Sequence, residues 1–144
     1  MARRKIIRVR DVMKQDFDLV DGKETVLQAL RRMKHREARA LIVDKRDEDD
    51  EYGIVLLADI AKKVLARDRA PQRVNIYEIM AKPALSVHAD MDIRYCARLF
   101  ENFGIQRAPV MEGRRLVGVV SYNDMVLKGL EGLVEEGPCG TGTE

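Results

Sequence analysis

The chain has 144 residues, 46% hydrophobic and 35% charged, with 26 lysines and arginines against 24 acidic residues, and aromatics make up only 5%. That length supports a folded core that must be mostly aliphatic, the near balance of charge argues against a nucleic-acid binder, and no apolar run reaches the ~18 residues of a membrane span. No apolar stretch of signal-peptide length follows the basic N-terminus, and Cys96 and Cys139 have no metal-site spacing, so the expected setting is the cytoplasm, with both thiols free.

In chain order, "ARRKIIRVR" sets five basic residues among Ile6, Ile7 and Val9 and reads as a loose or partner-packed arm. "FDLV" (17–20) is short and extended. "TVLQALRRMKHR" places Val26, Ala29, Leu30 and Met33 at helical spacing, with Thr25 and Gln28 as a capping box. "ALIVD" (40–44) is a short buried strand. "KRDEDDEY" (45–52) is a solvated hairpin tip, without the spacing of a calcium loop. "YGIVLL" (52–57) is rich in β-branched residues, and "DIAKKVLAR" is a helix expected to start at Asp59. "RDRAPQRV" (67–74) links this series to a second one. "ALSV" (84–87) is extended, and "DIRYCARLFENFG" lines up Ile93, Cys96, Ala97, Phe100 and Phe103, between an N-cap at Asp92 and a stop at Gly104. "APVME" and "LVGVVSY" are strands, and a last helix is expected to start at Asp124. The remaining "EEGPCGTGTE" reads as a disordered tail.

The two series are copies. An offset of 67 carries Met13 of "RDVM" to Met80 of "YEIM", Val26 to Ile93 and Val43 to Val110. Two extra residues in the charged loop of the first copy then reduce the offset to 65, which carries Gly53 to Gly118 and Asp59 to Asp124. The order strand, helix, strand, strand, helix is thus performed twice, and neither copy has the apolar area to stand alone comfortably, so the two are expected to pack face to face.

The turn "GVVSYND" (118–124) combines groups suited to a nucleotide. A strand running into a helix leaves main-chain N–H donors that favour an anion, and Ser121 adds a hydroxyl beside them. The Asp124 carboxylate can accept both hydroxyls of a ribose, and Gly118 permits close main-chain approach. The same residues also read as a plain helix cap. The counterpart "GIVLLAD" (53–59) keeps the aspartate, Asp59, but has Leu56 in place of the serine.

The tandem repeat, with "DVM" and "EIM" opening the copies, "RAPV" on a middle strand and "GVVSYND" before the last helix, resembles a pair of CBS domains, a Bateman module, over about residues 8–131. The resemblance implies an α/β (α+β) fold of two β-α-β-β-α repeats, 8–66 and 75–132, joined by the linker 67–74 and followed by a flexible tail, 133–144. The repeats would pack with pseudo-two-fold symmetry and leave two clefts. It implies a regulatory module without catalysis or a required cofactor, which binds an adenosine-containing ligand such as AMP, ADP, ATP or S-adenosylmethionine and signals to an unknown effector protein or through its oligomer. In one cleft Asp124 would hold the ribose and Ser121 the phosphate, with Gln106 and Arg107 facing the phosphates and the base near Met13, Asp16 and Asp18. The carboxylates at 16 and 18 depart from the usual character of that segment. The second cleft would use Asp59, with Arg39 near the phosphate and Met80, Pro83 and Leu85 beside the base. Leu56 leaves it without a hydroxyl for phosphate, so the Ser121 cleft is expected to be the better nucleotide site. The apolar excess of the two last helices (Ile60, Val64 and Leu65; Met125, Val126, Leu127 and Leu130), to be buried against the sheets or a second chain, suggests a homodimer. The alternative reading is a ligand-free interaction or oligomerisation module in which the aspartates are only caps. A metal site is not expected: His35 and His88 do not align between copies.

Overall fold

The computed structural model describes residues 5–131; the expected tail with Cys139 lies outside the described residues. The chain forms two packing units, one of residues 16–85 and the other of residues 5–15 with 86–131. The sequence repeats and the packing units therefore differ at their openings. The segment holding "RDVM" packs with the strands of the second repeat, and the one holding "YEIM" with those of the first.

In the unit of residues 16–85, β1 (Asp18–Val20), β2 (Ala40–Val43) and β3 (Gly53–Leu56) form a sheet of that order. β1 and β2 are parallel and are joined through α2 (Val26–Arg32), numbered after the N-terminal α1 (Val9–Val12); β2 and β3 are an antiparallel hairpin in which Ala40 faces Leu56 and Val43 faces Gly53. All four residues of β2 are buried, as befits the central strand of three. The Thr25–Gln28 box is formed, with Thr25 Oγ1 accepting from the Gln28 N–H and Gln28 Oε1 from the Thr25 N–H. α2 is shorter than its periodicity predicts. After Arg32 the main-chain N–H groups of Lys34 and His35 donate to the Asp18 carboxylate at 3.0 and 2.8 Å, which turns the chain off into a short 3₁₀ turn at Arg36–Ala38. A 3₁₀ turn at Ile76–Glu78 brings Ile76 and Ile79 into the core beside Val26, Leu41 and Val55.

The other unit repeats this plan with β4 (Val87–His88), α4 (Ile93–Phe103), β5 (Arg107–Glu112) and β6 (Arg115–Ser121), in sheet order β4-β5-β6. α4 is capped as its sequence predicts: Asp92 accepts from the Arg94 N–H, and Gly104 ends the helix at φ +65°. Its apolar face buries Ile93, Cys96 and Phe100, with Phe100 edge-on to Tyr122 at 5.3 Å between ring centres. Burial raises the Cys96 thiol to about 11, which keeps it protonated and unreactive. From residue 5 the arm is part of this unit rather than loose. Ile7 and Val9 are buried in the core, and the Arg10 guanidinium pairs with Asp90 and Glu112, each at 2.7 Å.

The last helix of each unit begins earlier than expected and then widens. Leu56 and Ser121 are the N-caps of α3 (Leu57–Ile60) and α5 (Tyr122–Asp124), so each aspartate is the third helical residue and not the cap. Both helices continue as wide π turns, Ala61–Leu65 and Met125–Leu130.

Candidate functional site

Position 118 must be a glycine because a second segment of main chain lies against β6 there. Lys14 and Val119 exchange N–H···O=C bonds of 2.9 Å in both directions, an antiparallel bridge that adds the segment after α1 to the edge of the sheet. A Cβ on Gly118 would lie 2.6 Å from the Lys14 carbonyl oxygen and 2.8 Å from the Met13 sulfur. The bridge sets the Lys14 side chain over the end of β6, where Ser121 and Asp124 form a reciprocal cap. Ser121 Oγ accepts from the Asp124 N–H at 3.2 Å, while Asp124 Oδ2 accepts from both the N–H and the hydroxyl of Ser121 at 3.0 Å. The other carboxylate oxygen, Oδ1, receives the Lys14 ammonium. Asp124 is 4% exposed and Lys14 27%. A carboxylate so far from water requires donors around it, and this one has three.

Beside this cap, Gln106, Arg107, Ser121, Tyr122 and Asn123 line a cavity of about 220 Å³. Arg107 faces Ser121 directly in the β5–β6 register, and the Gln106 carbonyl accepts from the Tyr122 N–H. A guanidinium, an amide and a hydroxyl therefore share one small hollow, next to a buried carboxylate. Such a set can hold an anion on one side and hydroxyl donors on the other. Of the residues expected around this ligand, Ser121, Asp124, Gln106, Arg107 and Met13 all lie in this unit. Asp16 and Asp18 belong to the other unit, where Asp16 is exposed and Asp18 holds the end of α2. Lys14 is the member that the sequence reading missed. Its only signal was the repeat alignment, where the offset of 67 sets it against Ala81.

The equivalent place in the other unit is built by the same rule with different side chains. Ile54 and Ala81 exchange main-chain bonds of 3.0 and 2.9 Å, and a Cβ on Gly53 would lie 3.2 Å from the Ala81 carbonyl oxygen. Asp59 Oδ2 accepts from the Leu56 N–H at 3.0 Å, but Leu56 offers no hydroxyl. No lysine or arginine among the described residues pairs with Asp59, which is half-buried. Arg39 is exposed in the left-handed conformation, φ 56°, and its carbonyl accepts from the Leu57 N–H. Pro83 is exposed and Leu85 half-buried. Met80 lines a cavity of about 360 Å³ with Gly22, Val43, Tyr77 and Lys82, at the end of β2 opposite Asp59. This larger hollow does not coincide with the expected second site, since neither Asp59 nor Arg39 borders it.

Among the described residues no group of three histidine, cysteine or acidic side chains is placed to hold a metal ion, and no helix is long and apolar enough to cross a membrane.

The comparisons with known proteins bear on the family and the fold. The chain is 40% identical to the hexameric CBS-CP12 protein from bloom-forming cyanobacteria, covering 85% of this chain and 71% of that one with a TM-score of 0.82. It is 25% identical to a CBS domain pair solved in complex with 5-methylthioadenosine and S-adenosyl-L-methionine, covering 89% and 98% of the two chains with a TM-score of 0.71. An uncharacterized protein of Methanopyrus kandleri is 27% identical over 83% of this chain, which spans 61% of that protein's length. The family model for the CBS domain matches twice, at residues 9–66 and 76–131, and the chain belongs to the CBS-domain family as a tandem pair.

Proposed function

We propose that this CBS pair is a regulatory module that binds an adenosine-containing ligand of the AMP, ADP, ATP or S-adenosylmethionine type. Asp124 takes the ribose hydroxyls, and Ser121, Gln106 and Arg107 take the phosphate. The observation that carries this reading is a buried carboxylate, Asp124, bonded to Ser121, which together with Arg107 and Gln106 lines one small cavity at the end of β6. A related pair solved with two adenosyl compounds supports the ligand class. The module acts in the cytoplasm without catalysis of its own. Binding stabilises the fold by linkage, and the output passes to a separate effector protein or to the chain's own assembly. Exposed Leu65 on one last helix, and Val126, Leu127 and Leu130 on the other, favour assembly as a homodimer, which light scattering at several concentrations would measure.

Calorimetric titration of AMP, ATP and S-adenosylmethionine tests the ligand assignment. Wild type is expected to bind at least one of them, and Asp124→Ala to lose at least tenfold in affinity. Unchanged binding in that variant would sink the assignment. One observation favours a second reading, a ligand-free assembly module: Ser121 and Lys14 already fill the Asp124 carboxylate from within the chain. Under that reading no adenosyl ligand at millimolar concentration moves the melting temperature.

A further inference from the structure

We infer that Lys14 makes the site at Asp124 selective for adenosyl ligands that carry a phosphate, by linking release of the carboxylate to capture of an anion; this rests on the ligand reading given above. Asp124 Oδ2 accepts from the main chain and the hydroxyl of Ser121; when that hydroxyl turns to a phosphate only one place on Oδ2 opens, so a ribose diol, which donates twice, must still bond through Oδ1. Oδ1 is the atom that the Lys14 ammonium occupies. A diol that takes Oδ1 is neutral. It replaces the charge–charge contact of a nearly buried carboxylate, and it leaves the ammonium without its counter-charge.

The exchange becomes favourable when the ligand supplies an anion of its own. Lys14 is partly exposed on a flexible four-carbon stem, and the carboxylate that it leaves is bonded to Ser121, which borders the cavity lined by Arg107 and Gln106. A phosphate there gives the displaced ammonium a new partner, and the number of unlike-charge contacts is conserved. Adenosine and other uncharged nucleosides offer no such partner and are disfavoured. The other unit carries no such condition, because Ala81 stands where Lys14 does.

The test is calorimetry of the full chain with AMP and with adenosine, in an Asp59→Ala background so that only the Asp124 site is read. The parent is expected to prefer AMP by more than tenfold. Lys14→Met keeps the length of the stem and the main-chain bridge but removes the charge. It should lower that preference at least tenfold, with adenosine gaining affinity and AMP losing it, and Lys14→Arg should restore most of it. Lys14→Gln carries the same test should the methionine variant fail to fold. An unchanged AMP-to-adenosine ratio in the uncharged variants, while Asp124→Asn abolishes binding of both, overturns the role of Lys14 and leaves the site assignment standing. If Asp124→Asn binds both ligands as the parent does, the site assignment fails and the role of Lys14 fails with it.

Discussion

The two units solve one construction problem with different side chains. Each lays a segment of main chain against the edge of its last strand, at Lys14–Val119 and at Ala81–Ile54, and each places a glycine where that segment comes closest. Each also ends the strand in a helix whose third residue is an aspartate bonded back to the N-cap N–H. On this shared frame one unit carries Lys14 and Ser121, and the other Ala81 and Leu56. The first thereby has a buried, charge-compensated carboxylate beside a polar hollow. The second has a half-buried carboxylate with one main-chain donor and an apolar neighbour. What the repeat preserves is main-chain geometry; what it varies is the charge and polarity that a ligand would meet.

The largest effect should come from Gly118, where that shared geometry is tightest. In Gly118→Ala the new Cβ falls 2.6 Å from a main-chain oxygen, so the Lys14 segment must lift and lose its two bridge bonds. We expect a loss of about 3 kcal/mol, the upper part of the range for overpacking. Gly53→Ala meets its counterpart oxygen at 3.2 Å, and a shift of a few tenths of an ångström relieves it at about 1 kcal/mol. Urea denaturation followed by circular dichroism measures both. Equal losses would mean that the two bridges are equally tight.

Removal of the aspartates comes next. Asp124→Ala strands the Lys14 ammonium and the Ser121 N–H together and should cost about 2 kcal/mol, discounted for the partial exposure of the lysine. Asp59→Ala gives up one main-chain bond at a half-buried site and should cost about 1 kcal/mol or less. A larger loss at Asp59 than at Asp124 would break the distinction drawn between the two sites.

Much of this frame is legible along the chain because it is local. The offset of 67 finds the matched openings, the Thr25–Gln28 box and the Asp92 and Gly104 caps follow from spacing alone, and Ser121 with Asp124 stands out through its repetition. The pairing of Lys14 with Asp124 spans 110 residues, and no local pattern announces it. The packing of each opening segment with the strands of the other repeat is equally non-local. The shortness of α2 depends on Asp18, 16 residues upstream of the N–H that it captures. The placement of the helix starts at Leu56 and Ser121 was missed for another reason. An aspartate is a good cap in either role, and only the hydrogen-bond direction shows that it reaches back to the strand end from the third position.

Acid should separate the units less sharply. The Lys82 ammonium and the Arg46 N–H hold Asp50 well below the usual carboxylate range, so the expected hairpin tip is pinned at this residue. The Asn75 N–H and Arg69 lower Glu78 in the same unit, and Arg10 lowers Asp90 in the other. Each of these groups binds its proton more weakly folded than unfolded. The stability they contribute is complete above the unfolded carboxylate values near pH 4 and declines as pH falls below them. Melting temperatures from pH 7 to pH 2 should therefore drop below about pH 4. Asp50→Asn should flatten that drop more than Asp90→Asn, since the shift at Asp50 is the larger.

The smallest expected change is the most informative about the comparison itself. Leu56→Ser gives the N-cap of α3 the acceptor that Ser121 supplies to α5. A cap of this kind stabilises by about 1 kcal/mol, part of which is offset by the loss of a half-buried leucine, so the net gain should be about 0.5 kcal/mol. The hydroxyl also completes the second unit's polar turn without adding a charge. If a hydroxyl were enough for phosphate selectivity, Leu56→Ser in an Asp124→Ala background would prefer AMP to adenosine. If the ammonium is needed, the single change should leave the two ligands within a few-fold of each other, and only Leu56→Ser combined with Ala81→Lys should favour AMP. Calorimetry on these two variants separates the contribution of the serine from that of the lysine, which nature has installed together at one end of the repeat and omitted together at the other.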